Sequence, residues 1–263
     1  MSEITPGADM THRKQGLFFK LMLRSSGVSL FEGGEIPNTD GIIRVVSAHS
    51  SAYLVPTNTE KTDYVLIDAG MDKNAANIKK ELQIRALHDQ AIKAIFITHG
   101  HPDHIGGLRQ FPDVPIYVGA PDDGYVSGKA PSDGFVGKLT GSQPGIAVTD
   151  PDQLKTIADG QVVSIGEKSV EAFTIPGHTR GSVAYVIGSA LFVGDAIAFR
   201  RNGTKMDSPK PFSHDIPQSR ESVARLVRQF DDQGRAIEHV IPSHSDVGTF
   251  DALRDDVRQA PMS

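Results

Sequence analysis

The sequence predicts an α/β layered fold. Three successive apolar runs, at residues 42–46, 52–55 and 64–68, have the length of strands, contain β-branched residues and are separated by turn-forming residues. A helical pattern follows at residues 74–87, where apolar side chains recur on one face, and a buried strand is predicted at residues 94–98. A β-rich beginning followed by alternation of strands and helices is typical of layered α/β folds.

The second half of the chain continues this pattern. An N-cap is predicted at Ser219, because Val223, Leu226, Val227 and Phe230 then recur at the spacing of one helix face. Further strands are predicted at residues 115–118, 161–165, 170–175, 183–187, 191–193 and 239–241. Several of the strands end beside a glycine or a proline that is followed by a histidine or an aspartate, so the strand ends are where we look for a site.

The chain is interpreted as a single domain over residues 1–263, because no low-complexity run or linker divides it. Residues 1–40 are interpreted as an N-terminal extension, and the apolar run at residues 17–23 within it fits either a short amphipathic helix or an edge strand. Residues 119–160 and 200–217 are rich in turn-forming residues and are interpreted as loop insertions, which are often functional when they are long.

The composition narrows the classes of function. The absence of cysteine excludes disulfides, thiolate metal sites and a cysteine nucleophile. With a net charge of -5 the chain lacks the basic character of nucleic-acid-binding proteins, so no nucleic-acid partner is expected. No apolar run has membrane-spanning length and no signal peptide is recognised, so we expect a cytoplasmic protein with no membrane partner. The expected partner is a small-molecule substrate. A homodimer stays open.

Metal-ligating side chains recur at four predicted strand ends. The densest group lies in residues 99–104, directly after the strand at residues 94–98. Imidazole and carboxylate ligands suit zinc, manganese or iron. The candidate ligands lie beside or close to a glycine or a proline that lets backbones converge, and they are His99, His101, Asp103, His104, His178, Asp195 and His244.

These residues resemble the motifs of the metallo-β-lactamase-fold superfamily. Residues 99–104 match its HxHxDH signature, and Asp68, His178, Asp195 and His244 are similar to its other motifs in the same order. The resemblance implies a four-layer αββα sandwich with the site at one edge of its two sheets.

The resemblance also implies two divalent metal ions, with zinc as the expected metal and manganese or iron as alternatives. One ion takes the histidines at positions 99, 101 and 178. The ligands implied for the other ion are Asp103, His104 and His244, with Asp195 bridging both ions. Asp68 and Thr98 are expected to orient ligands from behind.

A hydrolytic reaction agrees with the charge of such a centre. Two divalent ions, two ligand carboxylates and a bridging hydroxide leave about one positive charge, which holds a nucleophile at neutral pH. Asp103 is the expected catalytic residue, because it can orient the hydroxide and pass its proton to the leaving group. We therefore expect the bridging hydroxide to attack the carbonyl of a carboxylic ester, thioester or lactone.

The chain differs in some residues from each known branch of the superfamily. The differences from true β-lactamases concern the ligands themselves, so we favour a glyoxalase II-like or lactonase-like member. True β-lactamases of this fold use a cysteine ligand or lack the bridging aspartate, whereas this chain has no cysteine and has Asp195. Glyoxalase II enzymes carry a long helical region after the last ligand, but only a short segment follows His244 here. Lactonases usually place a tyrosine three residues after the bridging aspartate, where this chain has Ala198.

Other functions stay open from the sequence. The same centre could support phosphodiesterase or β-lactamase activity, and persulfide dioxygenase-like members use a single iron held by two histidines and an aspartate. A metal-binding module without turnover is a further alternative. The candidate substrate-pocket residues lie in predicted loops or beside them, and they are Phe199, Arg200, His214 and His49.

Overall fold

Two β-sheets lie at the centre of the fold. The computed structural model describes residues 27–29, 31–130, 148 and 150–259. Within these residues the first sheet has seven strands in chain order: β1 (Gly34–Glu35), β2 (Ile43–Ser47), β3 (Ser50–Pro56), β4 (Tyr64–Ile67), β5 (Ile92–Ile97), β6 (Ile116–Gly119) and β7 (Leu154–Ile157). Strands β1 to β4 pair antiparallel, and β4 to β7 pair parallel.

The second sheet has six strands: β8 (Val162–Ile165), β9 (Lys168–Thr174), β10 (Val183–Ile187), β11 (Ala190–Gly194), β14 (His239–Pro242) and β15 (Gly248–Thr249). Their order in the sheet is β15-β14-β11-β10-β9-β8. Strands β11 and β14 pair parallel, while their neighbours pair antiparallel. A separate hairpin joins β12 (Ile197–Phe199) to β13 (Lys205–Asp207).

Helices cover the outer faces of both sheets. The α-helices of the described residues are α1 (Ala76–Ile84), α2 (Pro102–Ile105), α3 (Asp122–Val126), α4 (Ile216–Asp232) and α5 (Phe250–Gln259). Ile78 and Leu82 of α1 pack on the first sheet, and Leu226 and Phe230 of α4 pack on the second. The order helix, sheet, sheet, helix confirms the αββα sandwich that the sequence predicts.

Aromatic side chains fill the space between the two sheets. Phe96 of β5 stacks on Tyr117, with 4.8 Å between the ring centroids, and meets the edge of Tyr185 from the opposite sheet at 5.3 Å. The Tyr185 hydroxyl donates a hydrogen bond to the Ile97 carbonyl at 2.8 Å. Burial of these rings stabilises the contact of the two sheets and fixes β5, which leads into the histidine-rich loop.

The structure corrects the interpretation of residues 119–160 as one loop insertion. Helix α3 begins at Asp122, and β7 adds a parallel edge strand to the first sheet. Both elements are short, and β7 exposes its middle residues, so neither produces a strong hydrophobic period. Residues 131–147 and 149 lie outside the described residues.

The interpretation of residues 200–217 as a loop is also corrected. Strand β13 lies within this stretch, and α4 begins at Ile216 rather than after Ser219. Asp215 is the N-cap, because its carboxylate accepts a hydrogen bond from the Gln218 amide at 2.9 Å. This start has only a weak signal in the sequence because Pro217 interrupts the helical pattern, although proline is tolerated in the first turn of a helix.

The expected N-terminal extension is partly joined to the sandwich. Of residues 1–40, the described part includes β1, which pairs with β2, and Val28, which forms an isolated bridge with Arg200. The apolar run at residues 17–23 lies outside the described residues. Across the part of the chain that the structure describes, no helix has both the length and the apolar character needed to span a membrane.

Candidate metal centre

The parallel strand pairs bring the candidate ligands to one edge of the sandwich. Strands β4 and β5 end side by side in the first sheet, and β11 and β14 end side by side in the second. Seven side chains form three overlapping groups in which the possible ligand atoms lie within 4.8 Å of one another. They are His99, His101, Asp103, His104, His178, Asp195 and His244.

Three histidines form the first cluster, which consists of His99, His101 and His178. Nε2 of His99 lies 3.0 Å from Nδ1 of His101, and Nε2 of His178 lies 3.1 Å and 3.0 Å from these two atoms. The three nitrogens therefore form a nearly equilateral triangle. All three residues are buried.

The tautomer of His99 follows from the hydrogen bonds behind it. The carboxylate of Asp68 only accepts, so the hydroxyl of Thr98 donates to Asp68 Oδ2 at 2.8 Å. The Thr98 oxygen then accepts from Nδ1 of His99 at 3.1 Å. This leaves the lone pair of His99 Nε2 directed at the centre of the first cluster.

His178 is oriented by two serines from the stretch at residues 200–217. Its Nδ1 lies 2.8 Å from the Ser208 hydroxyl and 3.1 Å from the Ser213 hydroxyl. Ser213 donates to the Pro209 carbonyl at 2.8 Å, and the two hydroxyls are 2.7 Å apart. The chain of donors therefore runs from His178 through Ser208 to Ser213, and it leaves Nε2 of His178 as a lone pair.

The second cluster consists of Asp103, His104 and His244. Oδ2 of Asp103 lies 3.2 Å from Nε2 of His244 and 3.6 Å from Nε2 of His104. Nδ1 of His104 donates to Asp68 Oδ2 at 2.8 Å, and Nδ1 of His244 donates to the His49 carbonyl at 2.8 Å. Both Nε2 atoms therefore point toward the Asp103 carboxylate.

Asp195 lies between the two clusters. Its Oδ2 is 3.6 Å from Nε2 of His178 in the first cluster and 3.0 Å from Nε2 of His244 in the second. Its Oδ1 is 3.4 Å from Nε2 of His104. Gly194 adopts a φ of 55°, and a Cβ there would come within 2.6 Å of the Thr98 hydroxyl, so glycine is required for this approach.

The donor set fits divalent metal ions. Three lone pairs at 3.0–3.1 Å repel one another unless a cation lies between them, and neutral imidazole is a common ligand of zinc. Nε2 of His104 and Oδ1 of Asp195 are buried and have no hydrogen-bond partner of good geometry among the described residues. Such atoms are costly unless they bind a ligand.

Burial keeps the first cluster neutral. It lowers the pKa of His99 well below its usual value, and the neighbouring imidazoles add to this effect. Burial likewise lowers the pKa of His101 to about 4 and that of His178 to about 3, although Asp195 opposes the shift. Neutral imidazole is the form that ligates a metal, so these histidines need release no proton at neutral pH.

Carboxylates dominate the second cluster. Burial alone would lower the pKa of His104, but Asp103, Asp195 and Asp68 raise it well above its usual value. At His244 burial again lowers the pKa, but the carboxylates of Asp195 and Asp103 outweigh this effect and raise the pKa to about 10. The cluster therefore has a strong preference for positive charge, which a divalent ion can satisfy.

The structure places two of the four candidate pocket residues beside this centre. His49 stacks on His244, with ring centroids 5.5 Å apart, and its Nε2 lies 3.3 Å from Asp103 Oδ2. The backbone amide of His214 donates to the His178 carbonyl at 2.9 Å. Phe199 instead belongs to the hydrophobic cluster that also contains the buried apolar residues of α4 and α5, and it is 2% exposed, so its assignment to a substrate pocket is corrected.

Arg200, the fourth candidate, lies at the turn of the β12–β13 hairpin. Its side chain donates to the Lys205 carbonyl at 3.0 Å. The other end of this hairpin, where Ile197 pairs with Asp207, is the end next to Ser208 and His178. The direction of the hairpin therefore carries Arg200 away from the first cluster.

Three residues that contact the centre are absent from the predictions made from the sequence. Ser208 and Ser213 contact His178 from 30 and 35 residues away, and serines in a loop give no local signal of such a role. Asp122 also contacts the loops of the first cluster. Its position soon after β6 is the same strand-end signal that identified the ligands, but it lay inside the presumed loop insertion.

Comparisons with known proteins agree with this centre. A family model described as the metallo-beta-lactamase superfamily matches residues 48–232. The chain is 28% identical over 223 residues to a probable metallo-hydrolase of Bacillus subtilis, a match that covers 76% of this chain and 84% of that protein. It is 30% identical over 159 residues to a hydroxyacylglutathione hydrolase of Aliivibrio fischeri, which covers 59% of this chain and only 50% of that relative.

Solved structures are similar in fold. The B3 metallo-beta-lactamase BLEG-1 superposes with a TM-score of 0.63 at 22% identity, covering 81% of this chain and 96% of that one. A B3 metallo-beta-lactamase from a soil metagenome gives a TM-score of 0.61 at 19% identity, covering 83% of this chain and 89% of that one. At these identities the likeness supports the fold alone.

The substitution Asp68→Asn tests the orientation of the ligands. An asparagine would present an amide donor to His104 or Thr98, both of which already donate at this position. We expect zinc affinity to fall by roughly 10- to 100-fold, as for other residues that orient metal ligands. Competition with a chromogenic chelator measures this affinity.

Asp63→Asn is the matched control. Asp63 precedes β4, whereas Asp68 follows it, and Asp63 forms an exposed ion pair with Lys93 at 3.1 Å. We expect this variant to bind zinc like the wild type. Equal zinc affinity of the two variants would contradict the role assigned to Asp68.

Proposed function

Because the chain belongs to the metallo-beta-lactamase superfamily, we propose that it is a hydrolase that uses two divalent metal ions, with zinc as the expected metal. The observation that carries this proposal is the position of Asp195. Its carboxylate faces one histidine from each cluster, at 3.6 Å and 3.0 Å. Two complete ligand sets that share one carboxylate favour a dinuclear centre over a single ion.

Metal ions at these two clusters would polarise a substrate carbonyl and make water nucleophilic near neutral pH. The residues of the chain contribute position and proton transfer. The first cluster can bind a metal ion without releasing protons, since burial keeps its imidazoles neutral. Asp195 places a negative charge between the two clusters.

Asp103 is the carboxylate that a substrate can reach. Its side chain is 17% exposed, whereas the side chains of Asp195 and Asp68 are 6% and 0% exposed. Ser50 fixes its backbone by donating to the Asp103 carbonyl at 2.7 Å. A carboxylate that is held in place and is still partly exposed can accept a proton from water and return it to a leaving group.

We propose a small acyl compound as the substrate, with hydrolysis at a carboxylic ester, thioester or lactone bond. The name of the relatives called hydroxyacylglutathione hydrolases describes cleavage of an acyl compound, which supports this class. The absence of cysteine and the presence of Asp195 favour a glyoxalase II-like or lactonase-like branch over the β-lactamases. The match to those relatives covers about half their length, so their full activity is not transferred.

A substrate panel combined with metal analysis tests the proposed function. Protein purified without chelator and supplied with excess zinc should contain two zinc ions per chain. It should hydrolyse ester, thioester or lactone substrates faster than a β-lactam or a phosphodiester. A zinc content that stays at one per chain would exclude the dinuclear centre, and preferred cleavage of β-lactams or phosphodiesters would exclude the acyl-hydrolase branch.

The substitution Asp103→Asn should remove hydrolysis more completely than it removes metal. The amide keeps a neutral oxygen that can face an ion, but it cannot accept a proton. We expect kcat to fall by roughly 100-fold or more, as for other acid–base groups. Asp40→Asn is the control, because Asp40 is 85% exposed and pairs only with Lys168 among the ion pairs of the described residues. A metal-loaded Asp103→Asn protein with normal kcat would show that Asp103 is not the acid–base group.

A further inference from the structure

Asp122 joins the two peptide segments that supply the first cluster. Asp122 is only 6% exposed, and it is the first residue of helix α3, which lies outside the ligand motifs. Its Oδ2 accepts hydrogen bonds from the Gly100 amide at 2.6 Å and from the Thr179 hydroxyl at 2.7 Å. Its Oδ1 accepts from the Gly181 amide at 3.1 Å.

Two of these three donors lie next to a metal-ligand position. Gly100 is the residue between His99 and His101, and Thr179 directly follows His178. One buried carboxylate therefore holds the backbone between two ligands of one segment and the neighbour of the third ligand in the other segment. The ligands themselves make no contact with it in the hydrogen bonds described above.

The packing around Asp122 requires small residues. A Cβ at Gly181 would lie 2.7 Å from the Asp122 carboxyl group, which is closer than real Cβ contacts occur. A Cβ at Gly100 would lie 3.2 Å from Tyr125 and 3.3 Å from the Asp122 side chain. Glycine at both positions lets the two segments approach the same carboxylate.

The hydroxyl network around Thr179 has one direction. The Thr179 amide donates to the Ser182 hydroxyl oxygen at 2.9 Å, and the two hydroxyl oxygens are 2.8 Å apart. Because a carboxylate only accepts, Thr179 donates its single hydroxyl hydrogen to Asp122, and Ser182 donates to the Thr179 oxygen. The network therefore ends on Asp122, and it fixes the turn that carries His178.

We propose that Asp122 is a positioning residue that holds together the two segments of the first cluster. It sets the separation of these segments, so that the three imidazole nitrogens converge within 3.1 Å. This inference rests on the metal centre of the proposed function. The second cluster is oriented by other groups, through Asp68 and the His49 carbonyl, so the effect of Asp122 is specific to the first cluster.

The substitution Asp122→Asn separates this role from others. An amide has one acceptor oxygen and two donor hydrogens, so it cannot accept from all three donors at both of its ends. One donor among the Gly100 and Gly181 amides and the Thr179 hydroxyl would then face another donor. The variant changes charge and hydrogen bonding but almost no volume.

Cobalt(II) titration of the full chain, followed by the visible absorption of the bound ion, tests the inference. In a His244→Ala background only the first cluster is complete, and in a His101→Ala background only the second is. We expect Asp122→Asn to weaken cobalt binding by roughly 10- to 100-fold in the first background and less than about 2-fold in the second. The absorption spectrum of the first cluster should change as well.

Asp123→Asn is the matched control on the same helix. The Asp123 carboxylate accepts from the Gly124 amide at 2.8 Å and from the Thr156 hydroxyl at 3.0 Å, both outside the ligand segments. We expect this variant to bind cobalt like its parent in both backgrounds. A loss of affinity in Asp123→Asn equal to that in Asp122→Asn would overturn the inference.

Thr179 provides a second test that does not depend on the folding of the Asp122 variant. Thr179→Val removes one of the three donors and should weaken cobalt binding at the first cluster, whereas Thr179→Ser keeps the hydroxyl and should restore it. The melting temperature of the metal-free protein reports a merely structural role. Equal loss of affinity at both clusters, or no loss at either, would overturn the inference.

The failure of the proposed function has a different signature. If a His244→Ala chain with Asp122 and Thr179 intact binds no cobalt, the first cluster is not a metal site. Both the proposed centre and the inference are then overturned. If that chain binds cobalt and Asp122→Asn binds it equally well, the proposed function stands and only the inference is overturned.

Discussion

The carboxylate of Asp68 is fully buried, and its hydrogen bonds connect it to both ligand clusters. His104 donates to it directly at 2.8 Å, while His99 is connected to it through the Thr98 hydroxyl. The Thr98 amide also donates to it at 2.8 Å, which fixes the end of β5. A buried carboxylate with several donors is favourable only when each donor is in place, so this arrangement selects one tautomer for each ring.

The backbone at Asp68 shows why an aspartate suits this position. Its φ of 57° lies in the left-handed region, which non-glycine residues adopt rarely and aspartate more readily than most. The turn at the end of β4 directs the carboxylate back toward β5 instead of into solvent. Local conformation and the orientation of the ligands are thus joined in one residue.

The architecture brings ligands together that are distant in the chain. Each sheet contains a pair of parallel strands whose ends lie at the same edge, and the aromatic contacts of Phe96 with Tyr185 hold the two sheets against each other. His99 and His178 are separated by 79 residues, yet their ligand nitrogens lie 3.1 Å apart. Asp122 and the two serines behind His178 then adjust the loops that carry these ligands.

Local patterns predicted these candidate ligands because side chains at strand ends have a local signal. A buried apolar run followed by histidine or aspartate is visible in the sequence at His178, Asp195 and His244. The four-layer order came from the resemblance of these motifs to a known family, and the structure confirms it. Phe199 shows the limit of this approach, since a residue near Asp195 in sequence packs into the core when the hairpin turns.

The residues that support the ligands were harder to predict. Ser208, Ser213 and Asp122 act through hydrogen bonds that span 22 to 59 residues, and no short pattern encodes such a contact. The short strands β7 and β13 were missed because three or four partly exposed residues produce no clear period. Tertiary pairing, rather than local preference, defines them.

Anomalous diffraction from crystals of the zinc-loaded protein tests the central claim most directly. Data collected on both sides of the zinc absorption edge locate each ion independently of the protein model. We expect two separate peaks, one within the first cluster and one within the second, with the Asp195 carboxylate between them. A single peak at full zinc occupancy, or peaks away from both clusters, would contradict a dinuclear centre.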